Sequence, residues 1–308
     1  MIGVKAHSLI LHQPARRAIA PRRAIGDHPR LRERLIVYRS FLFVPGDRPE
    51  RFDKAAGSGA DAVCIDLEDA VSPRNKAAAR EAAISYLVGA PKAAVDIGVR
   101  VNALNTADGL RDVLALLESA ASPAFALAPK VGGRADVDQL RALLAGRAAI
   151  WALMETPQAL TGAGALCESL GETGGVVFGG ADLSAALGSD MSWDSLYFAR
   201  ASLVAAAAPF GCQTLDVPFL DVRDLEGLKS ETHRVKALGF TGRSCIHPDQ
   251  VAPINEVFTP SREDVEKAQA IIDAYDANDG RVLLHEGRLV EKPVLAAARR
   301  TLARRRAV

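Results

Sequence analysis

Glu155 closes an apolar run over 150–154, and Asp182 follows Gly179-Gly180-Ala181 at the end of another. Two carboxylates at neighbouring strand ends repel each other, and neither motif carries a Lys or Arg to neutralise them. A hard divalent cation resolves that conflict, since Mg2+ takes one or two carboxylates, several waters and a substrate at about 2.0 to 2.1 Å. Structural zinc would need Cys or His clusters, whereas the 6 histidines are scattered. Arg100 stands in a Val-rich stretch, where an unpaired guanidinium is costly. Its planar fork grips either a carboxylate of Asp66, Glu68 or Asp69, or a substrate oxyanion. The acids of that motif could hold metal-bound waters or orient Arg100. Plainer readings stand beside these: Glu155 next to a helix begun by Pro157, Asp182 as a helix cap, Arg100 as a buried ion pair. Lys130 opens another chemistry, the Schiff-base nucleophile of a metal-free aldolase, although acidic motifs around it favour its charged, non-nucleophilic form.

The elements that must position these residues alternate in type. After Arg39, short β-branched or apolar runs over 40–46, 62–69, 97–103, 125–131, 149–156, 175–182, 214–219 and 243–247 predict strands. Runs of helical period lie over 49–57, 76–88, 109–119, 135–145, 158–170, 196–207, 225–238 and 262–276. Eight such units predict an α/β fold, a (β/α)8 TIM barrel with a C-terminal helical extension; a doubly wound open sheet is the rival. The polar residues cluster at the carboxyl ends of the strands, the catalytic face of a barrel. The expected organisation is a basic tail over 1–38, a barrel over 39–280, and an extension or lid over 281–308. In that extension, a two-residue period over 281–285 and a turn at Glu286-Gly287 precede a terminal helix over 293–306.

Composition narrows the function classes. The 308 residues hold 38 Lys and Arg against 37 Asp and Glu, so bulk charge gives no field for coating a polyanion, and no nucleic-acid partner is expected. Residues 1–38 alone carry eight basic and two acidic side chains, net +6, leaving thirty basic against thirty-five acidic beyond them, net −5. That leader reads either as an organelle address or as a simple tail. It lacks the apolar core of a secretory signal, and no apolar run reaches the roughly 18 residues a membrane span needs. Cys64, Cys167, Cys212 and Cys245 form no closely spaced pair, which fits a reducing cytoplasm without a disulfide framework.

The ordered motifs Arg39-Ser40-x-Leu42-Phe43-Val44-Pro45-Gly46, Asp66-Leu67-Glu68-Asp69-Ala70-Val71, Arg100-Val101-Asn102, Glu155-Thr156-Pro157, Gly180-Ala181-Asp182-Leu183 and Ile246-His247-Pro248 resemble the HpcH/HpaI aldolase and citrate lyase family. The resemblance is strongest to its citrate lyase beta-subunit-like branch. It implies an oligomeric barrel, a trimer or hexamer of one chain. The implied reaction makes or breaks a carbon–carbon bond in a β-hydroxyacyl thioester with Mg2+, from which a coenzyme A ester parts into a thioester and a small keto acid. It assigns Glu155 and Asp182 to the metal, and Arg100 to the substrate oxygens with Gly180, Ala181 and Asp182 beside it. Arg48 and Lys54 fall to the coenzyme A phosphates; beside these assignments, the acidic motif itself makes Glu68 and Asp69 candidates for the catalytic group with Arg100 and Glu291. One departure is Glu291 in Gly287-Arg288-Leu289-Val290-Glu291-Lys292-Pro293, where members acting on free coenzyme A esters often carry Asp. A neighbouring subunit's lid would bring this acid to the thioester; a surface residue starting a helix is the plain reading. Two other activities stay open: a citrate lyase beta subunit acting on an acyl-carrier-protein thioester, and a metal-dependent pyruvate aldolase.

Overall fold

Eight runs too short and too apolar to stand alone bury both faces by pairing in parallel, in chain order, until the first meets the last. In the computed structural model these are β1 (Ser40–Pro45), β2 (Ala62–Asp66), β3 (Asp96–Arg100), β4 (Phe125–Ala128), β5 (Ala149–Met154), β6 (Gly175–Phe178), β7 (Gln213–Asp216) and β8 (Gly242–Cys245). The structure describes residues 37–89 and 95–305, so almost all of the basic leader and position 306, the expected end of the terminal helix, lie outside the described residues. The barrel is closed, and the open-sheet rival is excluded.

The helices are α1 (Phe52–Ala56), α2 (Lys76–Gly89), α3 (Ala107–Glu118), α4 (Arg134–Leu144), α5 (Pro157–Thr161), α6 (Ala163–Leu170), α7 (Gly180–Leu187), α8 (Trp193–Ala207), α9 (Leu225–Leu238), α10 (Val251–Phe258), α11 (Arg262–Ala277) and α12 (Lys292–Ala303). Two expectations need correction. The run expected to form one helix over 158–170 is broken at Gly162. The helix after β8 is α10, which was not anticipated; α11 instead packs on α12, past a small hairpin of β9 (Leu283–His285) and β10 (Arg288–Val290).

Inside the barrel, Tyr38, Phe41, Phe125, Leu127, Trp151, Leu153, Val177 and Leu215 form the inner core. Their bulk is accommodated by glycine: a Cβ on Gly98 would lie 2.4 Å from Phe125 and one on Gly175 2.4 Å from Trp151. Period-two alternation then decides the next residues up. Cys64 faces inward, and so does Asp66; Leu153 faces inward, and so does Glu155. The strands end earlier than predicted, and the loops gain polar residues of the mouth along with apolar neighbours such as Leu67, Val101 and Val131. Glu68, Asp69, Lys130, Glu155 and Asp182 all sit just past a strand, free of ladder geometry.

Candidate active site

Arg100 and Asp66 face each other across the β2–β3 register. The guanidinium donates from Nε and Nη2 to the two Asp66 oxygens at 2.6 and 2.5 Å, and Nη1 lies 3.0 Å from Glu68 Oε2. Asp66 also accepts from the Glu68 and Ala70 backbone N–H groups, so the same carboxylate shapes the turn and aims the arginine. The Phe43 ring lies under the guanidinium, 5.3 Å away. Arg100 is thus a buried ion pair, as the plain reading held, yet only three of its five N–H groups are engaged there. Burial by itself would lower the Arg100 pKa, but hydrogen bonds and attraction from Asp66 and Glu68 hold it above the ordinary arginine value. Burial also pushes the Glu68 carboxyl up to about 7, helped by Asp69 and opposed by Arg100 and Lys130. Asp69 moves the other way: burial raises it, but its hydrogen bond with Glu68 and the charge of Lys130 bring it below the usual carboxylate range.

At the same end of the barrel, Glu155 directly follows β5 with its side chain fully buried and Asp182 sits in the first turn of α7, half exposed. Helix capping accounts for neither. Thr156 caps α5 by accepting from the Ala159 N–H, and Gly179 stands at the cap of α7. Glu155 Oε1 accepts the Lys130 backbone N–H at 2.5 Å, while Oε2 is buried with no hydrogen-bond partner. A Cβ on Gly179 would lie 3.2 Å from that orphan oxygen and 2.5 Å from Glu155 Cβ, so only glycine leaves this carboxylate its space. Burial drives the Glu155 pKa up to about 8 against the pull of Lys130.

One expectation fails here. The two carboxylates are not free of a protein cation: Lys130 Nζ lies 3.1 Å from Asp182 and 3.8 Å from Glu155, with Asp69 at 3.2 Å and Glu68 at 3.8 Å. The lysine comes from the end of β4, one strand away, where no motif of either acid shows it. Burial would lower its pKa, but attraction to Glu155, Asp182, Glu68 and Asp69 holds the ammonium above the ordinary lysine value. It is a charged group, not the neutral amine of a Schiff-base enzyme.

The two acids still suit magnesium. A buried carboxylate oxygen with no donor, beside a half-exposed second carboxylate, matches an ion that uses few protein ligands and fills the rest with water and substrate. Among the described residues no group of three or more His, Cys, Asp or Glu could hold a metal ion.

The structure brings Arg100, Glu68, Asp69, Glu155 and Asp182 to one end of the barrel, with Gly180 buried and Ala181 exposed beside them. Arg48 and Lys54 lie exposed after β1, and neither makes a side-chain hydrogen bond or ion pair among the described residues. No hydrogen bond or ion pair joins Glu291 to any of these groups; it precedes α12 exposed, without a side-chain capping bond. Asp216, at the carboxyl end of β7, is turned away from them. Leu215 faces inward, so Asp216 faces the helix layer and pairs with Arg200 at 2.9 Å. Sequence reasoning missed the clamp behind Asp66 and Glu68. Lys76 Nζ donates to the Leu67 and Glu68 carbonyls and to Asn102 at 2.7 Å each, and Asn102 donates to Leu67 O and to Asp112, itself paired with Arg80. A buried Asp on the inner face of α3 was the one available signal. All four cysteines are buried and free, and the Cys212 thiol points to the Gly174 and Gln213 carbonyls.

Residues 39–248 match the family model described as HpcH/HpaI aldolase/citrate lyase, and residues 197–307 the one described as C-C bond lyase of the TIM-barrel fold. The chain is 34% identical over 285 residues to an L-malyl-CoA/beta-methylmalyl-CoA lyase of Cereibacter sphaeroides, covering 82% of this chain and 90% of that protein. It is 37% identical over 275 residues to a citrate lyase subunit beta-like protein of Mycobacterium tuberculosis, covering 86% and 94%. Among solved structures, CitE from Mycobacterium tuberculosis in complex with magnesium, acetoacetate and coenzyme A shares the fold with a TM-score of 0.72 at 34% identity, over 86% of this chain and 97% of that one. With a match of this extent in both sequence and architecture, the chain belongs to the HpcH/HpaI aldolase/citrate lyase family.

Proposed function

We propose that this protein is a magnesium-dependent carbon–carbon lyase that cleaves a β-hydroxyacyl-coenzyme A, of citramalyl, malyl or citryl type, to a keto acid and acetyl-coenzyme A. The observation that carries the reading is the buried Glu155 oxygen without a donor, beside Asp182 and at the same end of the barrel as an arginine already fixed by Asp66. Relatives that are malyl-CoA lyases, and a neighbour crystallised with magnesium and coenzyme A, support it.

When bound between Glu155 and Asp182, Mg2+ supplies a Lewis acid and a template for the keto acid's carboxylate and carbonyl oxygens. The chain's own groups do the rest. Arg100 directs its two unengaged N–H groups to the oxygen on which negative charge gathers, in a setting where preorganised charge is worth several kcal/mol. Glu68, with a pKa of about 7 and Oε1 without a hydrogen bond, accepts the β-hydroxyl proton near neutrality. The carbon–carbon bond then breaks, its electron pair passing to the thioester enolate, which takes a proton from Glu291 of a neighbouring subunit. Arg48 and Lys54 meet the coenzyme A phosphates. No helix among the described residues is long and apolar enough to cross a membrane. Four buried free thiols support a reducing, cytoplasmic setting, and the shared Glu291 requires a homo-oligomer.

Two results check this reading. Purified protein with Mg2+ should release pyruvate, glyoxylate or oxaloacetate from citramalyl-, malyl- or citryl-coenzyme A and lose that activity in EDTA, while borohydride with substrate should trap no adduct on Lys130. Activity appearing only after an acyl carrier protein is added would redirect the assignment to the citrate lyase subunit. Separately, Glu291→Gln should lower kcat by roughly 10² or more, the scale of a lost general acid. Mixing that variant with Arg100→Ala, each nearly inactive alone, should restore part of the activity, because a mixed oligomer contains sites with both residues intact. No recovery after subunit exchange would remove Glu291 from the chemistry.

A further inference from the structure

Lys130 is the least expected residue of the site. Its backbone has φ of 52°, in the left-handed region that side chains with a Cβ rarely adopt. That turn aims its N–H at Glu155 Oε1 and sends its ammonium into a ring of four carboxylates, those of Asp182, Asp69, Glu68 and Glu155, at 3.1 to 3.8 Å. Arg100 cannot serve the same pair, being engaged by Asp66 and Glu68. The Lys130 side chain is one-third exposed (34%), so it has room to move, and its flexible stem carries a compact charge. The backbone contact to Glu155 does not depend on where the ammonium goes.

We propose that Lys130 is a stand-in cation: it holds Glu155 and Asp182 together in the metal-free protein, and yields that pair to Mg2+ while keeping Asp69 and Glu68. This rests on the reading that Glu155 and Asp182 take the metal, and adds that the metal must displace a charge already there. Lys130 therefore stabilises the empty site and weakens Mg2+ binding at once. It acts through the two acids, as a positioning residue.

The test compares wild type, Lys130→Met and Lys130→Arg by calorimetric titration with Mg2+ and by thermal unfolding in EDTA. Removing one positive charge a few ångströms from the ion should tighten Mg2+ binding about tenfold or more in Lys130→Met. The same variant should melt several degrees lower in EDTA and recover when Mg2+ is added. Lys130→Arg, which keeps the charge on a bulkier group that cannot withdraw as easily, should melt like wild type in EDTA and bind Mg2+ more weakly. Equal or weaker Mg2+ binding by a folded Lys130→Met overturns the proposal. If Lys130→Met does not fold, Lys130→Arg decides, and binding as tight as wild type or tighter overturns it. Wild type failing to bind Mg2+ at all would sink the metal reading itself, whereas tight wild-type binding with unchanged variants sinks the role of Lys130 alone.

Discussion

Arg100→Ala is expected to lower kcat by roughly 10² to 10³ or more, because it removes a preorganised cation from the oxygen where charge develops in the transition state. The same substitution strands Asp66, which is 2% exposed and has no other cation at hydrogen-bonding distance among the described residues. Breaking a buried pair by deleting one partner costs about 3 to 5 kcal/mol, so a lower melting temperature should accompany the loss of turnover. The two effects separate in Arg100→Lys. A lysine keeps the charge, and with it much of the stability, but lacks the fork that binds Asp66 with two N–H groups and leaves others for substrate. Its kcat should stay well below wild type at a temperature where circular dichroism shows a folded protein. Near wild-type turnover in Arg100→Ala would refute the role.

Glu155→Gln and Asp182→Asn should each abolish metal-dependent activity, with Mg2+ affinity falling by more than about 10² because one of only two anionic ligands is gone. Stability should respond oppositely to function at Glu155. Its Oε2 is a buried acceptor with no donor, and such a group costs about 1 to 3 kcal/mol. A neutral amide keeps an oxygen for the Lys130 N–H and can turn its NH2 toward the remaining acids. In EDTA, Glu155→Gln should therefore unfold at a higher temperature than wild type, and Mg2+ should erase the difference by stabilising wild type alone. A variant that loses both activity and stability would mean that Glu155 serves the fold rather than the ion.

The barrel was legible because its signal is periodic: eight apolar runs alternating with helical ones leave few architectures. The strand ends were misjudged because loop residues such as Leu67, Val101 and Val131 are as apolar as the strands before them, and hydrophobicity does not mark where the ladder stops. Helix α7 was read as the end of a strand, since Gly179-Gly180-Ala181 carries no capping side chain. Arg100 and its acidic partners followed from desolvation, because a charge in an apolar run needs a reason to be there. The position of Lys130 did not. It depends on a left-handed turn at the end of β4 that a lysine gives no reason to expect, and on reach across two strand ends. Asp216 makes the complementary point: one residue of register decides whether a strand-end acid faces the mouth or the helices.

Anomalous diffraction from crystals grown with Mn2+, whose anomalous signal marks a site that Mg2+ would occupy, locates the ion relative to Glu155 and Asp182. One strong peak is expected touching a carboxylate oxygen of Glu155 and one of Asp182, with the Lys130 ammonium withdrawn toward Asp69. Crystals in which Mn2+ avoids that pair, while Lys130 still bridges it at saturating metal, would contradict the assignment of the pair to the metal.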